Sequence, residues 1–257
     1  MPPRRLLLYT KPAVPGRVKT RLVGELSAEQ AAALHQAFLE DVAERLLGAE
    51  ARGELELWSA WELAEGEELP PGPGRAIPQE GPGLGERLFR GLSLAAEAGG
   101  GAEAVAALGS DHPTVRLESI REAFDRLAGG ADAVLGPSHD GGYYLVALRP
   151  GAVRPELFAG IPWSTETVLA ETLARASALG LSVGLLAEGA DVDTPDDLRR
   201  LARDLGDDPA TAARCPRTRD LLAAWGYLAA PHPVGQGPPS LAPREGGEGT
   251  RERGVVR

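Results

Sequence analysis

Two groups of charged side chains stand out for the chemistry that their types and spacing allow. Arg17, Lys19 and Arg21 alternate in the loop sequence PGRVKTRL, with Lys11 ahead of them, and no acid occurs before Glu25. Arginine forks and a lysine point charge suit the oxygens of a diphosphate, and Gly16 lets backbone approach them closely. Opposite in sign, Asp111 directly follows the apolar run EAVAALGS, and Asp191 and Asp193 flank Val192 in GADVDTPDDL. If that segment is extended, residues two apart share a face, so both carboxylates point one way. Mg2+ and Mn2+ prefer carboxylate and water oxygens, and one such ion shared between one or two Asp and a diphosphate would join the two groups. The plainer readings are a solvated basic loop, a capping role for Asp111 at a helix starting near Thr114, and a capping role for Asp193 beside Thr194. Asp196 and Asp197 read as helix-start acids without chemistry.

Two further segments carry candidates. GPSHDGGYYL sets Asp140 before Gly141 and Gly142 between two apolar runs. Asp-Gly is a strong hairpin signal, yet a tight glycine turn also offers backbone amides to a ligand, and Asp140 is a candidate general base. Trp163, Ser164 and Thr165 open a later helix, where a hydroxyl suits the N-cap and the indole suits stacking on a sugar. Two common nucleotide motifs are excluded. Val18 rather than glycine precedes Lys19, so there is no P-loop, and no GxGxxG follows the first apolar run.

The elements that must position these residues alternate between short apolar runs and amphipathic stretches. Strands are expected over residues 4–9, 54–60, 103–110, 132–138, 143–148 and 181–187. Helices are expected from a capping box at Ser27 and Gln30, then over 84–98, 114–128 and 165–178, and again from Thr194 with Pro195 at the first helical position. That alternation predicts an α/β domain whose ligand crevice lies at the carboxyl ends of the strands. It is expected to fill residues 1–230. Residues 231–257 hold five Pro, six Gly and no aromatic residue, the composition of a disordered tail.

Composition narrows the partners. The 257 residues include 27 Lys and Arg against 37 Asp and Glu, a formal charge of −10, which argues against a nucleic-acid binder. The single Cys215 can form no internal disulfide and no Cys-rich zinc site, so a reducing cytoplasm is the expected compartment. No apolar stretch approaches the length of a membrane span or a signal-peptide core.

In this order, KPAVPGRVKTRL, LGERL, GSDHP, GPSHDGGYYLVAL, PWSTETVL and DVDTPDDL resemble the DUF2064 family, the selenodomain- and radical-SAM-associated transferases, also called arsenosugar-biosynthesis-type glycosyltransferases. The resemblance runs from about residue 5 to 205. It implies a GT-A fold of the nucleotide-diphospho-sugar transferase superfamily, a Rossmann-like three-layer α/β sandwich with a mostly parallel central sheet. By position it implies that Lys11, Arg17, Lys19 and Arg21 meet the nucleotide phosphates, and that Arg87 in LGERL reaches the nucleotide. Asp111 takes the metal position, with Asp193 and its neighbour Asp191 at the second acidic position. Asp140, Gly141 and Gly142 fall at the substrate pocket, and Trp163, Ser164 and Thr165 near donor or acceptor. Two departures are visible: Pro82 and Gly83 stand where relatives carry an Asp before LGER, and the nucleotidyltransferase loop with GxG ahead of TRM and a later PK is absent, which weighs against nucleotidylyl transfer.

The first expected activity is Mg2+- or Mn2+-dependent glycosyl transfer from a UDP- or GDP-sugar to a small-molecule acceptor. The second is nucleotidylyl transfer, in which a phosphorylated acceptor attacks an NTP and pyrophosphate leaves. The third is a nucleotide-binding module without turnover. Oligomeric state stays open.

Overall fold

The structure is a computed structural model that describes residues 2–228, and the expected tail over 231–257 lies outside them. Its strands are β1 (Arg4–Thr10), β2 (Glu56–Trp61), β3 (Arg75–Pro78), β4 (Ala104–Gly109), β5 (Ala133–Pro137), β6 (Tyr143–Leu148) and β7 (Val183–Leu185). They form one sheet in the order β3-β2-β1-β4-β6-β5-β7. Neighbours run parallel except at β6, which is antiparallel to both β4 and β5. The reason is local. The Asp-Gly-Gly turn reverses the chain directly after β5, as the hairpin signal predicts.

Because side chains alternate across a strand, β1 feeds two cores at once. Leu6 and Leu8 face α1 (Ala28–Ala51) and α3 (Leu117–Ala128), while Leu7 and Tyr9 face α2 (Leu84–Glu97), α4 (Pro155–Phe158) and α5 (Val168–Ala178). The result is the expected three-layer α/β sandwich. Ser27 and Gln30 form the expected capping box at α1, and Thr194 and Asp197 form a second one at α6 (Pro195–Asp207).

A third apolar cluster lies beyond the sheet edge and matters most for the site. It joins Leu22 and Leu26, after the basic loop, to Leu34 and Phe38 of α1, to Val192, and to α6, α7 (Pro209–Arg214) and α8 (Pro216–Ala224). Leu22 and Val192 sit next to the two groups of charges, so burying them draws those groups together.

Several elements differ from expectation. β3 falls inside the long Pro- and Gly-rich loop, where only Ile77 of its four residues is buried, too few for a periodic signal. The helices expected from 114 and 165 begin at Leu117 and Val168. α8 starts where the buried Asp41 carboxylate, from α1, accepts the N–H groups of Arg217 and Thr218, a cap supplied from far away in sequence. Among the described residues, no helix is long and apolar enough to cross a membrane.

Candidate active site

A cavity of about 470 Å3 opens at the carboxyl ends of β1, β2 and β4. Lys11, Glu62, Arg87, Asp111, Asp140, Trp163, Asp191 and Asp193 all line it. A larger hollow of about 770 Å3 lies near the opposite ends of these strands, but its charges are already paired with one another, Arg4 with Glu103 and Asp125, and Arg121 with Glu54. Convergent charge, not size, therefore singles out the first.

Behind its acidic wall lies Lys19, which is buried and does not itself line the cavity. The basic loop turns through left-handed backbone at Gly16 (φ 78°) and again at Lys19 (φ 48°), before a single 3-10 turn over Thr20–Leu22. The ammonium is thereby driven inward, to 2.5 Å from Asp111 Oδ1 and 3.0 Å from Asp193 Oδ1. The lysine side chain is 2% exposed, whereas both carboxylates open onto the cavity, each 42% exposed. Val192 N–H donates to the Asp111 carbonyl (3.1 Å) and the Val192 side chain is buried. That bond fixes the register of Asp191 and Asp193 against Asp111. His35 completes the floor. Its Nε2–H donates to the Lys11 carbonyl (3.0 Å), which leaves Nδ1 without a hydrogen-bond partner, 3.7 Å from Asp111 Oδ1.

These contacts set the protonation states. Burial opposes ionisation of Asp111, but the adjacent Lys19 ammonium outweighs it and holds the carboxyl well below the usual carboxylate range. Burial likewise opposes the Lys19 ammonium, and Asp111 and Asp193 raise its pKa above the ordinary value. Asp191 has no such partner. Burial, followed by repulsion from Asp111, Asp193 and Asp140, pushes its carboxyl up to about 7.

The capping readings for Asp111 and Asp193 do not describe the structure. The residue before α3 is Arg116, which makes no side-chain cap, and Thr194 with Asp197 caps α6. Asp196 pairs with Arg199, so Asp196 and Asp197 are helix-start acids as expected. Among the cations, Lys11 and Lys19 reach the site. Arg17 is exposed and ion-paired through its guanidinium to Glu67, and Gly16 and Arg21 are exposed and outside the cavity lining.

Arg87 lines the cavity, with Nη1 2.8 Å from Glu62 Oε1 and Nε donating to the Gly81 carbonyl. Gly85 in the same LGERL segment packs so tightly that a Cβ there would come within 2.7 Å of Trp163 Nε1. Trp163 is thus seated by α2, with Tyr143 edge-on at 6.1 Å. Ser164 takes a left-handed φ of 66°, and Thr165 donates its hydroxyl to the Pro162 carbonyl. Neither caps α5, whose N-cap is Thr167. Asp140 takes the hairpin role, and the glycine amides of its turn are not open to a ligand, since Gly141 N–H donates to the Ser138 carbonyl (3.0 Å). Asp140 Oδ1 accepts the Gly142 N–H and the Ser138 hydroxyl while the side chain lines the cavity. Gly141 (φ 83°) tolerates nothing larger, because a Cβ would meet the Glu166 carbonyl at 2.1 Å. Sequence reasoning missed His35 and Glu62. Each is one polar residue on an otherwise apolar stretch, and only the helix face of His35 and the strand-end position of Glu62 could have flagged them.

The donor set fits a hard divalent cation, on one observation: two carboxylates already converge on a shared positive charge, the Lys19 ammonium. Among the described residues, no three Asp, Glu, His or Cys side chains gather into a ready metal site. Two protein carboxylates with phosphate oxygens and waters are nonetheless a usual Mg2+ environment.

A curated 3-phospho-D-glycerate guanylyltransferase of Phenylobacterium zucineum (strain HLK1) is 34% identical over 195 residues, covering 72% of this chain and 84% of that protein. A crystal structure from Desulfovibrio desulfuricans G20, provisionally described as a nucleotide-diphospho-sugar transferase, superposes with a TM-score of 0.74 at 29% identity, covering 88% of this chain and 99% of that one. The family model for DUF2064, described as an uncharacterized protein conserved in bacteria, matches residues 33–165. With the sequence motifs, the sheet order and these matches in agreement, the chain belongs to the DUF2064 family.

Proposed function

We propose that the protein is a nucleotidylyltransferase that joins a nucleoside monophosphate unit from an NTP to a small phosphorylated acid. The observation that carries this reading is the pair of carboxylates, Asp111 and Asp193, that line a nucleotide-sized cavity and converge on the buried Lys19 ammonium behind it. The guanylyl transfer named for the Phenylobacterium relative supports it, and on that support we rank nucleotidylyl transfer ahead of glycosyl transfer.

In the reaction, an acceptor oxygen forms a bond to the α-phosphorus as the bond from that phosphorus to the bridging oxygen breaks, and pyrophosphate carries off the electron pair. Negative charge grows on the departing oxygens. Lys11 and Lys19 are the cations placed to offset it, an interaction that strengthens in the transition state and so lowers the barrier. Asp111 and Asp193, joined by Asp191 once it loses its proton, would hold Mg2+ or Mn2+, which supplies further charge neutralisation at the phosphates. Trp163 and the Asp140 turn line the cavity and form the acceptor side; an anionic phosphate acceptor needs no base, and Asp140 is the candidate base only for a hydroxyl acceptor in glycosyl transfer. A second reading, glycosyl transfer from a nucleotide-diphospho-sugar, is favoured by the description of the Desulfovibrio structure and by the indole of Trp163, a stacking surface for a sugar ring.

The test is pyrophosphate release from GTP, CTP, ATP or UTP with Mg2+ and a panel of phosphorylated carboxylic acids. Release that depends on both substrates is expected. No release from any NTP, together with consumption of a sugar nucleotide, would transfer the conclusion to the second reading.

A further inference from the structure

We infer that Glu62 reads the nucleobase and selects guanine. The inference rests on the nucleotide reading of the cavity and deepens it by naming the base.

Glu62 directly follows β2, and its N–H donates to the Thr10 carbonyl of β1 (2.8 Å). In the order β2-β1-β4 it stands two strand spacings, about 10 Å, from the position of Asp111. Both residues line the one cavity, which leaves room for a nucleoside whose phosphates lie at the acidic end. Five carboxylates line that cavity: Glu62, Asp111, Asp140, Asp191 and Asp193. Asp111, Asp140 and Asp193 all repel the Asp191 carboxylate, so these four form one cluster. Glu62 is the one set apart.

Its surroundings suit a flat ring with a polar edge. Arg87 pins one carboxylate oxygen at 2.8 Å, yet the Glu62 side chain stays 43% exposed. Leu84, itself 41% exposed, and Leu88 line the same end of the cavity and provide an apolar ledge.

Base chemistry then decides. Guanine presents two adjacent N–H donors, at N1 and the 2-amino group, which match the two oxygens of a carboxylate. Adenine and cytosine turn a ring-nitrogen lone pair toward the same carboxylate. Uracil flanks its one N–H with two carbonyl oxygens. All three leave the carboxylate facing a lone pair, and such a mismatch rejects a ligand more strongly than a lost contact alone. Ribose hydroxyls could also donate to Glu62, but they have no need of the leucine ledge.

The test is equilibrium binding of GTP, ITP, ATP, CTP, UTP and 2′,3′-dideoxy-GTP to the full chain with Mg2+ and no acceptor, for the wild type and Glu62→Gln. The wild type should bind GTP about 30-fold or more tighter than ATP, and ITP, which lacks the 2-amino group, about tenfold weaker than GTP. In Glu62→Gln, GTP should fall to within about threefold of ATP while ATP binding is unchanged, which also reports an intact site. Equal binding of all four NTPs by the wild type, or a guanine preference that survives in Glu62→Gln, overturns the inference and leaves the nucleotide reading standing. So does a uniform loss for every ribonucleotide with dideoxy-GTP unaffected, which would make Glu62 a ribose contact. Failure of the wild type to bind any nucleotide would overturn the parent reading as well.

Discussion

Replacing Lys19 with Met tests the central geometry directly, because Met keeps the length of the stem and removes the ammonium that joins Asp111 to Asp193. Removing one partner of a buried ion pair costs about 3–5 kcal/mol. Here the low end applies, since both carboxylates open onto the cavity and water relieves part of their repulsion. For a chain of this size about 3 kcal/mol lowers the melting temperature by roughly 6–12 °C. The assay is thermal unfolding of wild type and Lys19→Met in EDTA and across a Mn2+ titration without nucleotide. In EDTA the variant should melt well below the wild type. Mn2+ should then return most of the loss, since a ligand at 100 times its dissociation constant contributes about 2.7 kcal/mol. The wild type should gain less, because Mn2+ must compete with the ammonium for the same oxygens. Equal melting temperatures in EDTA, or an equal Mn2+ response in the two proteins, would refute the claim that lysine and metal share one pair of carboxylates.

Asp191 gives a pH-dependent test. Its folded-state pKa is raised to about 7 by burial and by its acidic neighbours, so the carboxyl costs stability as pH climbs from about 4 to about 7, and the full cost is present above that. Three units correspond to an upper bound of about 4 kcal/mol. Asp191→Asn should therefore raise the metal-free melting temperature by several degrees at pH 8 and leave it unchanged at pH 4, and an equal gain at both would contradict the assignment. Gly85→Ala should cost about 1–3 kcal/mol by driving a methyl group against Trp163 and the Phe158 carbonyl, with a shift in tryptophan fluorescence. An unchanged emission maximum and melting temperature would show that α2 does not seat Trp163.

Most of the sheet was legible in the sequence, because each signal was local, and so was a meeting of the basic loop with the distant acids, although the sequence joined them through a metal ion and the structure shows Lys19 paired with Asp111 and Asp193 directly. Apolar runs marked the strands, capping boxes marked α1 and α6, and Asp-Gly-Gly marked the one reversed strand. The separation of Lys19 from Arg17 and Arg21 was not legible. An extended loop would place all three on one face. Left-handed backbone at Lys19 and the 3-10 turn after it break that period, sending the lysine inward while both arginines stay exposed. Spacing alone carries no record of one φ angle. Glu62 and His35 were silent for a related reason: a single polar residue at a strand end or on a helix face makes no pattern, and its partners, Arg87 and the Lys11 carbonyl, are far away in sequence.

What the sequence did contain, without advertising it, was the force that assembles the site. Attraction between Lys19 and the acids cannot by itself bring three strand-end segments together, since desolvating an ammonium and two carboxylates consumes most of what their pairing returns. Leu22, three residues beyond Lys19, and Val192, between Asp191 and Asp193, are both buried in the cluster formed with α1, α6 and α8. Burying side chains of that size contributes roughly 1.5–3 kcal/mol each without any charge being involved. The apolar residues can therefore hold the two segments in register whatever the state of the carboxylates, which is what the proposed exchange of the Lys19 ammonium for a divalent cation requires.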